Sequence, residues 1–442
     1  MSGVTSRWVV TGACWALAGL LIGWSLWTGT ITFLIAIACG GLLFASFWGR
    51  PRFALVVWLL SLVMVPIWIS IHLFATVPFH CIIAVMAIVA TISRTRPKIT
   101  TFDVYFLISW IISVAAVFFG GSSAGLSAAI LLRWGIHYFA ARVLVSATGV
   151  RFVVDVIAIL FGVVGVLATL ELLLAWHPYA QWSFGSISEF EIWRTVLTRE
   201  GRDRSTWAFG HSIALGGSLA LAIPFILRSS YSAFVRGVLL VSVLAGIVST
   251  ASRSAELAAV LTIVICALYV VKIRILRTGI LAVGTVAMLV VSLAVGDRLQ
   301  AWARGNSAEE QSSYEYRREM YANYLPTVKW LGKSPIYNPT KISIDSAFLD
   351  MGLGFGWVLL IIAVIPLALS VFRVITGSAS FAEIAIVGQI PLFATVALIN
   401  QYASIVFIVA GIAVQIIVDR QNQPVGDPLD ANSFPPTHAM AP

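Results

Sequence analysis

Long apolar runs separated by short polar segments are the feature that most constrains this chain. Of its 442 residues, 60% are hydrophobic and 11% are charged, whereas a soluble domain is about 45–50% apolar and about 25% charged. A membrane-crossing helix needs about 20 mostly apolar residues. The candidate runs are 8–26, 30–48, 53–71, 77–93, 103–119, 125–147, 152–176, 209–228, 232–250, 255–272, 276–296, 346–371, 380–399 and 402–418. The sequence therefore predicts an all-α, polytopic integral membrane protein with about 12–14 transmembrane helices.

The distribution of Lys and Arg predicts how these helices are oriented. Fifteen basic residues fall in segments on the side of the N-terminus. The short segments on the other side, 27–29, 72–76, 120–124 and 400–401, contain none. Because short cytoplasmic loops carry the excess of Lys and Arg, we expect a cytoplasmic N-terminus.

This topology also predicts the domain organisation. Residues 1–420 are expected to form a single transmembrane domain, with large loops at 177–208 and 297–344 on the side opposite the cytoplasm. The polar, Pro-rich segment 421–442 is expected to be a disordered cytoplasmic tail.

Composition and the absence of common motifs exclude several function classes. The formal charge of +9 reflects topology rather than nucleic-acid binding. The sequence contains no Walker A loop, no HExxH and no CxxC, so we expect neither ATP-driven transport by this chain alone nor a thiolate-bound metal. All four cysteines lie in apolar runs, where a free thiol behaves as a small hydrophobe. No cofactor is implied.

The first informative motif lies at the end of loop 177–208. Arg202 and Arg204 stand at the mouth of an apolar run, where arginines and a helix N-terminus can hold a phosphate. The alternative is a solvated pair beside lipid headgroups. His211 could serve as a base or a phosphate donor, or it could be structural.

The second motif is the polar turn 249–256, STASRSAE. Arg253 emerges there near the outer membrane surface, where a cation is costly unless it is paired. Glu256, three residues later, is a candidate structural partner. A fixed arginine in a tight turn favours anion binding.

The third motif combines loop 297–344 with the helix that follows. Arg317 and Arg318 lie in a Tyr-rich stretch that suits a carbohydrate lid, or an amphipathic helix on the bilayer. Asp345 and Asp350 lie at the outer end of the next run, where ionisable groups are expensive and are therefore functional candidates. One of them could instead cap the helix.

These segments, in this order, resemble the O-antigen ligase and polymerase superfamily of bacterial inner-membrane glycosyltransferases. Residues 207–211 (WAFGH) match the stretch that opens a helix, and 252–254 (SRS) match the Ser-Arg turn. After the large loop, 345–349 (DSAFL) match the next helix opening, and 352–356 (GLGFG) loosely match its glycine end. The resemblance covers roughly 200–360.

The resemblance implies a GT-C-like fold and metal-independent, inverting transfer at the periplasmic face of the inner membrane. The donor would be a glycan on undecaprenyl diphosphate. Its diphosphate would be bound by Arg204 and Arg253, and less securely by Arg317. The ligases carry a His where this chain has Asp345, and this departure favours the polymerase branch, for O-antigen, capsule or exopolysaccharide. The resemblance further implies a glycan or lipid acceptor, surrounding membrane lipids, and flippase and chain-length regulator proteins as partners.

The chemistry is coherent with these residues. A carboxylate can accept the proton of an acceptor hydroxyl, and arginines can stabilise a departing lipid diphosphate. Arg133 and His137, one turn apart in a membrane segment, either line the lipid-diphosphate groove or form a buried structural pair. The alternative functions are a ligase that moves a glycan to lipid A core or another acceptor, and a non-enzymatic polysaccharide or lipid transporter.

Overall fold

The computed structural model of the protein describes most of the chain and shows it to be largely helical. The described residues are 31–72, 76–93, 95, 97–181, 190–191, 193–196, 198–199, 202–270, 308–338 and 344–422. The predicted runs 8–26 and 276–296 lie outside them, as does nearly all of the predicted tail.

The described part of the chain contains fifteen α-helices, numbered here in chain order. They are α1 Ile31–Phe47, α2 Pro51–Met64, α3 Phe79–Ile92, α4 Thr101–Gly120, α5 Ala124–Thr148, α6 Val150–Leu173, α7 Ser212–Arg228, α8 Ala233–Ser249, α9 Arg253–Val270, α10 Ala308–Tyr324, α11 Ala347–Phe355, α12 Trp357–Ile375, α13 Phe381–Val387, α14 Ile390–Thr395 and α15 Asn400–Gln421. The described β-structure consists of two antiparallel hairpins, β1 Ser70–His72 with β2 Thr76–Pro78, and β3 Thr198–Arg199 with β4 Arg202–Asp203.

The predicted all-α membrane class is confirmed. Five described helices, α4, α5, α6, α12 and α15, are long and apolar enough to cross a membrane, and shorter apolar helices accompany them. Helix α15 is the most buried of the five, with 83% of its apolar window inside the protein, against 11% for α4 and for α12. Helix α15 is therefore central, and α4 and α12 form an outer wall.

Three predicted runs differ from the helices observed. Run 53–71 stops being helical at Met64, because Pro66 favours the extended conformation that Val65 adopts. Run 346–371 breaks at Gly356, which has a φ of +97° and separates α11 from α12. Run 380–399 is divided into α13 and α14 and ends in extended chain before α15. These breaks place non-helical backbone among apolar helices, which membrane proteins tolerate only where it is buried or lines a cavity.

A proline in α12 makes possible a hydrogen bond between α4 and α12, the two helices of the outer wall. Pro366 lies inside α12 and has no N–H to give to the Ile362 carbonyl one turn earlier. The Tyr105 hydroxyl of α4 donates to that carbonyl over 2.5 Å. The Ile362 carbonyl, which has no hydrogen-bond donor within its own helix, thus accepts a hydrogen bond from the neighbouring helix.

A buried ion pair joins α4 to α5 at one end of the bundle. The Arg142 Nε atom lies 3.0 Å from Asp103 Oδ1, and the same guanidinium donates to the Lys98 carbonyl over 2.7 Å and to Gln415 of α15. Removing one partner of such a pair leaves an uncompensated charge, at a cost of about 3–5 kcal/mol.

The opposite end of the bundle is where α4 ends and where α7, α9, α11 and α15 begin; we call it the arginine end. A segment of the large loop is attached there. The Lys333 amide donates to the Gly120 carbonyl over 3.0 Å, and the Gly332 amide donates to the Phe355 carbonyl over 2.8 Å. A Cβ on Gly332 would lie 2.2 Å from the Gly120 Cα, and its φ is +89°, so only glycine permits this approach.

Candidate functional site

The arginine end brings two of the three motifs together. Arg204 follows β4 and donates from Nε to the Thr250 carbonyl over 2.9 Å. The neighbouring Ser205 amide donates to the Ser249 carbonyl over 3.1 Å. These bonds attach the segment that carries Arg204 to the turn in front of Arg253.

The second motif is a short turn that opens α9. Ser252 caps the helix, because its hydroxyl accepts from the Ala255 amide over 3.4 Å. Arg253 is the first helical residue and is exposed. The next residue, Ser254, accepts a 2.9 Å hydrogen bond from the Thr395 hydroxyl of α14. The turn is therefore fixed on both sides of the exposed arginine.

The third motif is linked to the second through α14. The Tyr321 hydroxyl of α10 lies 2.6 Å from Ser346 Oγ and donates to the Ala394 carbonyl over 2.9 Å. Ala394 precedes Thr395, which bonds to Ser254. All three motifs thus belong to one continuous set of hydrogen-bonded segments, from Arg204 to Asp345.

Asp345 stands immediately before the residue that caps α11. The cap is Ser346, whose hydroxyl accepts from the Leu349 amide over 3.3 Å; the alternative that Asp345 is this cap is therefore wrong. Asp345 is half-buried and acts on Tyr316 of α10. Partial burial, then the negative charge of Asp345 and then Tyr324 raise the pKa of the Tyr316 phenol. Helix α10 therefore lies beside Asp345.

A carboxylate that the sequence analysis did not select supports the first motif. Glu171 of α6 is buried and accepts hydrogen bonds from the Thr206 amide over 3.1 Å and the Trp207 amide over 2.7 Å. His177 Nδ1 lies 2.8 Å from the same carboxylate. The sequence did contain a signal for this site: Glu171 is a lone acidic residue in an apolar run, where an ionisable group costs free energy unless it has partners.

Backbone strain accumulates around these motifs. Trp207, Ala251 and Asn400 have φ values of 42°, 46° and 48°, a left-handed conformation that is uncommon for residues other than glycine. The Asn400 amide group donates to the Phe209 carbonyl over 2.8 Å, which fixes two of the strained segments against each other. Such strain costs about 1–3 kcal/mol per residue and clusters at functional sites.

His211 is a helix cap in this structure. Its Nδ1 atom accepts a 3.2 Å hydrogen bond from the Ile213 amide at the start of α7. Burial and the nearby positive charge of Arg204 lower its pKa to about 4. The imidazole is therefore neutral near pH 7, and its Nδ1 lone pair is used by the cap.

The remaining arginines of the motifs have different surroundings. Arg202 lies in β4, where the structure describes its backbone pairing with Arg199. Arg317 of α10 is half-buried, and within the described part of the chain its buried Nε atom has no hydrogen-bond partner. Arg318 is exposed.

Asp350 is occupied by a contact within the loop. Its carboxylate accepts a 2.6 Å hydrogen bond from the Tyr337 hydroxyl. Burial raises the pKa of Asp350, and the hydrogen bond from Tyr337 opposes that rise. Burial and this carboxylate raise the pKa of Tyr337. The pair fastens the loop to α11.

Arg133 lies apart from these three motifs. It belongs to a π-helical stretch of α5, Ile130–Gly135, and its carbonyl accepts from the Ser404 hydroxyl over 3.2 Å. Its charge acts on His80 and Cys81 of α3. Its neighbours are therefore a His–Cys cluster that sequence reasoning did not predict.

An apolar cavity of about 230 Å³ leads to the arginine end. It lies between the outer wall, α4 and α12, and the helices α5, α11, α13, α14 and α15. Phe348 and Phe393 line it next to the Ser346 cap, and Phe102 lines it toward the other end of α4. Among its other lining residues are Tyr105, Phe106, Trp134, Ala363, Leu367 and Phe407. The lining of this groove is almost entirely apolar, as a binding site for an apolar chain requires.

Comparison with known proteins gives no further identification. No family model, curated protein or solved structure significantly matches the chain.

Proposed function

We propose that this protein is a glycosyltransferase that transfers or polymerises glycan units from an undecaprenyl-diphosphate-linked donor. In this proposal it acts in the bacterial inner membrane, with the arginine end facing the periplasm, and has a GT-C-like architecture. The basic residues predicted to be cytoplasmic support this orientation, because Arg142, Arg228, Arg373 and Arg420 lie near the opposite ends of their helices.

One observation carries the proposal. A polar site with Arg204, Arg253 and Asp345 stands next to an apolar groove bordered by little-buried helices. A lipid diphosphate needs this combination, since its chain must be kept from water while its diphosphate is bound by cations. The groove would hold part of the isoprenoid chain, and the two arginines would hold the diphosphate bidentately.

The reaction follows from these roles. An acceptor hydroxyl attacks the anomeric carbon of the donor sugar and gives its proton to the Asp345 carboxylate. The bond between that carbon and the diphosphate oxygen breaks on the opposite face, which inverts the configuration. Lipid diphosphate departs with the electron pair, and Arg204 and Arg253 stabilise its charge. No ATP is consumed, because the diphosphate linkage is already activated.

We favour polymerase over ligase activity because a carboxylate, Asp345, stands at the position where the ligases carry a His. The acceptor in this proposal is therefore another lipid-linked glycan, with lipid A core as the alternative. A transporter would place its charges along a central cavity, whereas the groove described here is apolar. A flippase would supply the donor, and a chain-length regulator would end elongation.

The test is a gel of lipid-linked oligosaccharides after incubation of the purified protein with an undecaprenyl-diphosphate repeat unit from its own host. A ladder of lengths with released lipid diphosphate, unchanged by EDTA, is expected. No donor consumption, with host lipid acceptors also present, would contradict an enzymatic role and favour transport.

Two variant pairs make the test specific. Asp345→Asn should reduce transfer by about 10²–10⁴-fold, as expected for a lost general base, and Glu319→Gln on the exposed face of α10 is its control. Arg253→Ala should abolish polymer formation. Its control is Arg194→Ala, which removes an exposed arginine that lies 2.9 Å from Glu191. Full polymer from Asp345→Asn would remove the carboxylate from the mechanism.

A further inference from the structure

A cluster of metal-ligating side chains lies inside the bundle and has no part in the proposed transfer. His80 and Cys81 are at the start of α3, and His137 is in the middle of α5. One ligand atom from each lies within 4.8 Å of the other two. The His80 and His137 ring centroids are 5.0 Å apart, and all three residues are buried.

Three of the four histidine nitrogens in this cluster lack a hydrogen bond of good geometry among the described residues, and the backbone of Arg133, one turn before His137, interacts with the His137 ring. Both ring nitrogens of His137 and Nε2 of His80 are buried without a hydrogen-bond partner. A buried polar atom without a partner costs about 1–3 kcal/mol. Burying these atoms without partners costs free energy, and a bound ion would satisfy one nitrogen on each of the two rings.

The donor set and the local charge select the ion. Two imidazoles and a thiolate suit a soft or borderline metal. With a Cys81 thiolate, Cu(I) gives a neutral site, whereas Zn(II) leaves a net positive charge. That charge would lie among apolar helices and near Arg133, which already acts on His80 and Cys81, so it would be costly.

We propose that His80, Cys81 and His137 bind one Cu(I) ion. Binding forms two Cu–N bonds and one Cu–S bond and releases the thiol proton to solvent. The copper keeps its oxidation state and joins α3 to α5. The site joins the first turn of α3, directly after the β1–β2 hairpin, to the middle of α5.

The experiment uses the full-length protein in detergent, stripped of metal under reducing conditions. Cu(I) is then titrated in competition with bicinchoninate. To remove background thiols, Cys14→Ser and Cys39→Ser are present throughout. Cys81→Ser and His137→Gln test the site, and Cys266→Ser, which removes another buried thiol, is the matched control.

We expect the parent protein and Cys266→Ser to bind one equivalent of Cu(I), and the affinity of Cys81→Ser and His137→Gln to fall by at least about tenfold. X-ray absorption of the copper-loaded parent should show one sulfur and two nitrogen ligands, a result that does not depend on any variant folding. No Cu(I) binding by the parent, equal binding by Cys81→Ser, or a copper environment without nitrogen would overturn the proposal. None of these results depends on whether the protein transfers glycans.

Discussion

Arg204 Nε donates to the Thr250 carbonyl over 2.9 Å, so this arginine is held by the turn that carries Arg253. Two cations separated by 49 positions in the sequence are thereby fixed on adjacent segments. The bond uses the Nε atom of the guanidinium. A diphosphate between the two arginines would meet a site whose backbone is already positioned.

Arg204→Lys should therefore lose most of its transfer activity although the charge is kept. Lysine has no Nε–H with which to reach Thr250 while its head group binds a phosphate. Loss of a hydrogen bond to a charged group costs about 1.5–3 kcal/mol, so we expect a decrease in kcat/KM of roughly tenfold or more. The measurement is release of lipid diphosphate, with Arg194→Lys as the control. Equal activity of Arg204→Lys and the parent would show that the geometry of the guanidinium is not needed.

Glu171→Gln tests the support beneath the first motif. The carboxylate accepts from the Thr206 and Trp207 amides, and Trp207 has the strained φ of 42°. A glutamine offers one acceptor oxygen in place of two, and its amide group adds donors beside His177. We expect lower thermal stability in detergent and a transfer rate reduced several-fold.

The matched control for Glu171→Gln is Asp155→Asn, at the other end of α6, where the carboxylate accepts from the exposed Ser230 amide over 2.7 Å. If both variants change thermal stability and the transfer rate to the same extent, Glu171 has no special role in positioning the first motif. A larger effect of Glu171→Gln on the rate than on stability would show that the carboxylate positions the first motif.

The sequence was sufficient for the membrane class because apolar runs of the required length identify helices without any tertiary information. It also predicted that Arg204, Arg253 and Asp345 lie on the same side of the membrane, because an even number of predicted membrane-crossing runs separates each from the next along the chain. It did not predict the breaks at Gly356 and at 388–389, because an apolar composition continues through both. Such breaks are decided by φ angles and packing, which composition does not encode.

Contacts between distant runs were also beyond sequence reasoning. His80 and His137 belong to runs separated by 57 positions, and each alone is a lone histidine in an apolar helix. The groove is formed by faces of seven helices, and hydropathy does not reveal which helices are neighbours in the bundle. Tertiary packing alone creates both features.

His211 gives a pH dependence of stability with a definite sign. Its pKa in the folded protein is about 4, below the value of about 6.5 in an unfolded chain. Between these values the unfolded state binds more protons, so folded stability decreases as pH falls from about 6.5 to about 4. His211→Asn keeps a side-chain cap and removes this titration. The slope of the unfolding temperature against pH, measured in detergent, should be smaller for His211→Asn than for the parent; identical slopes would contradict the lowered pKa of His211.

Filling the apolar groove should weaken binding of a long-chain donor selectively. Ala363 of α12 lines the groove, and a tryptophan there would occupy space that we assign to the isoprenoid chain. We expect Ala363→Trp to raise KM for the undecaprenyl donor by about tenfold or more, which corresponds to about 1.4 kcal/mol of lost binding, with less effect on a short-chain donor. The control is Leu369→Trp, on the same helix at an exposed position that does not line the groove. Equal KM values for Ala363→Trp and Leu369→Trp with the long donor would show that the chain binds elsewhere, whereas equal losses with long and short donors would show that the tryptophan disturbs the polar site itself.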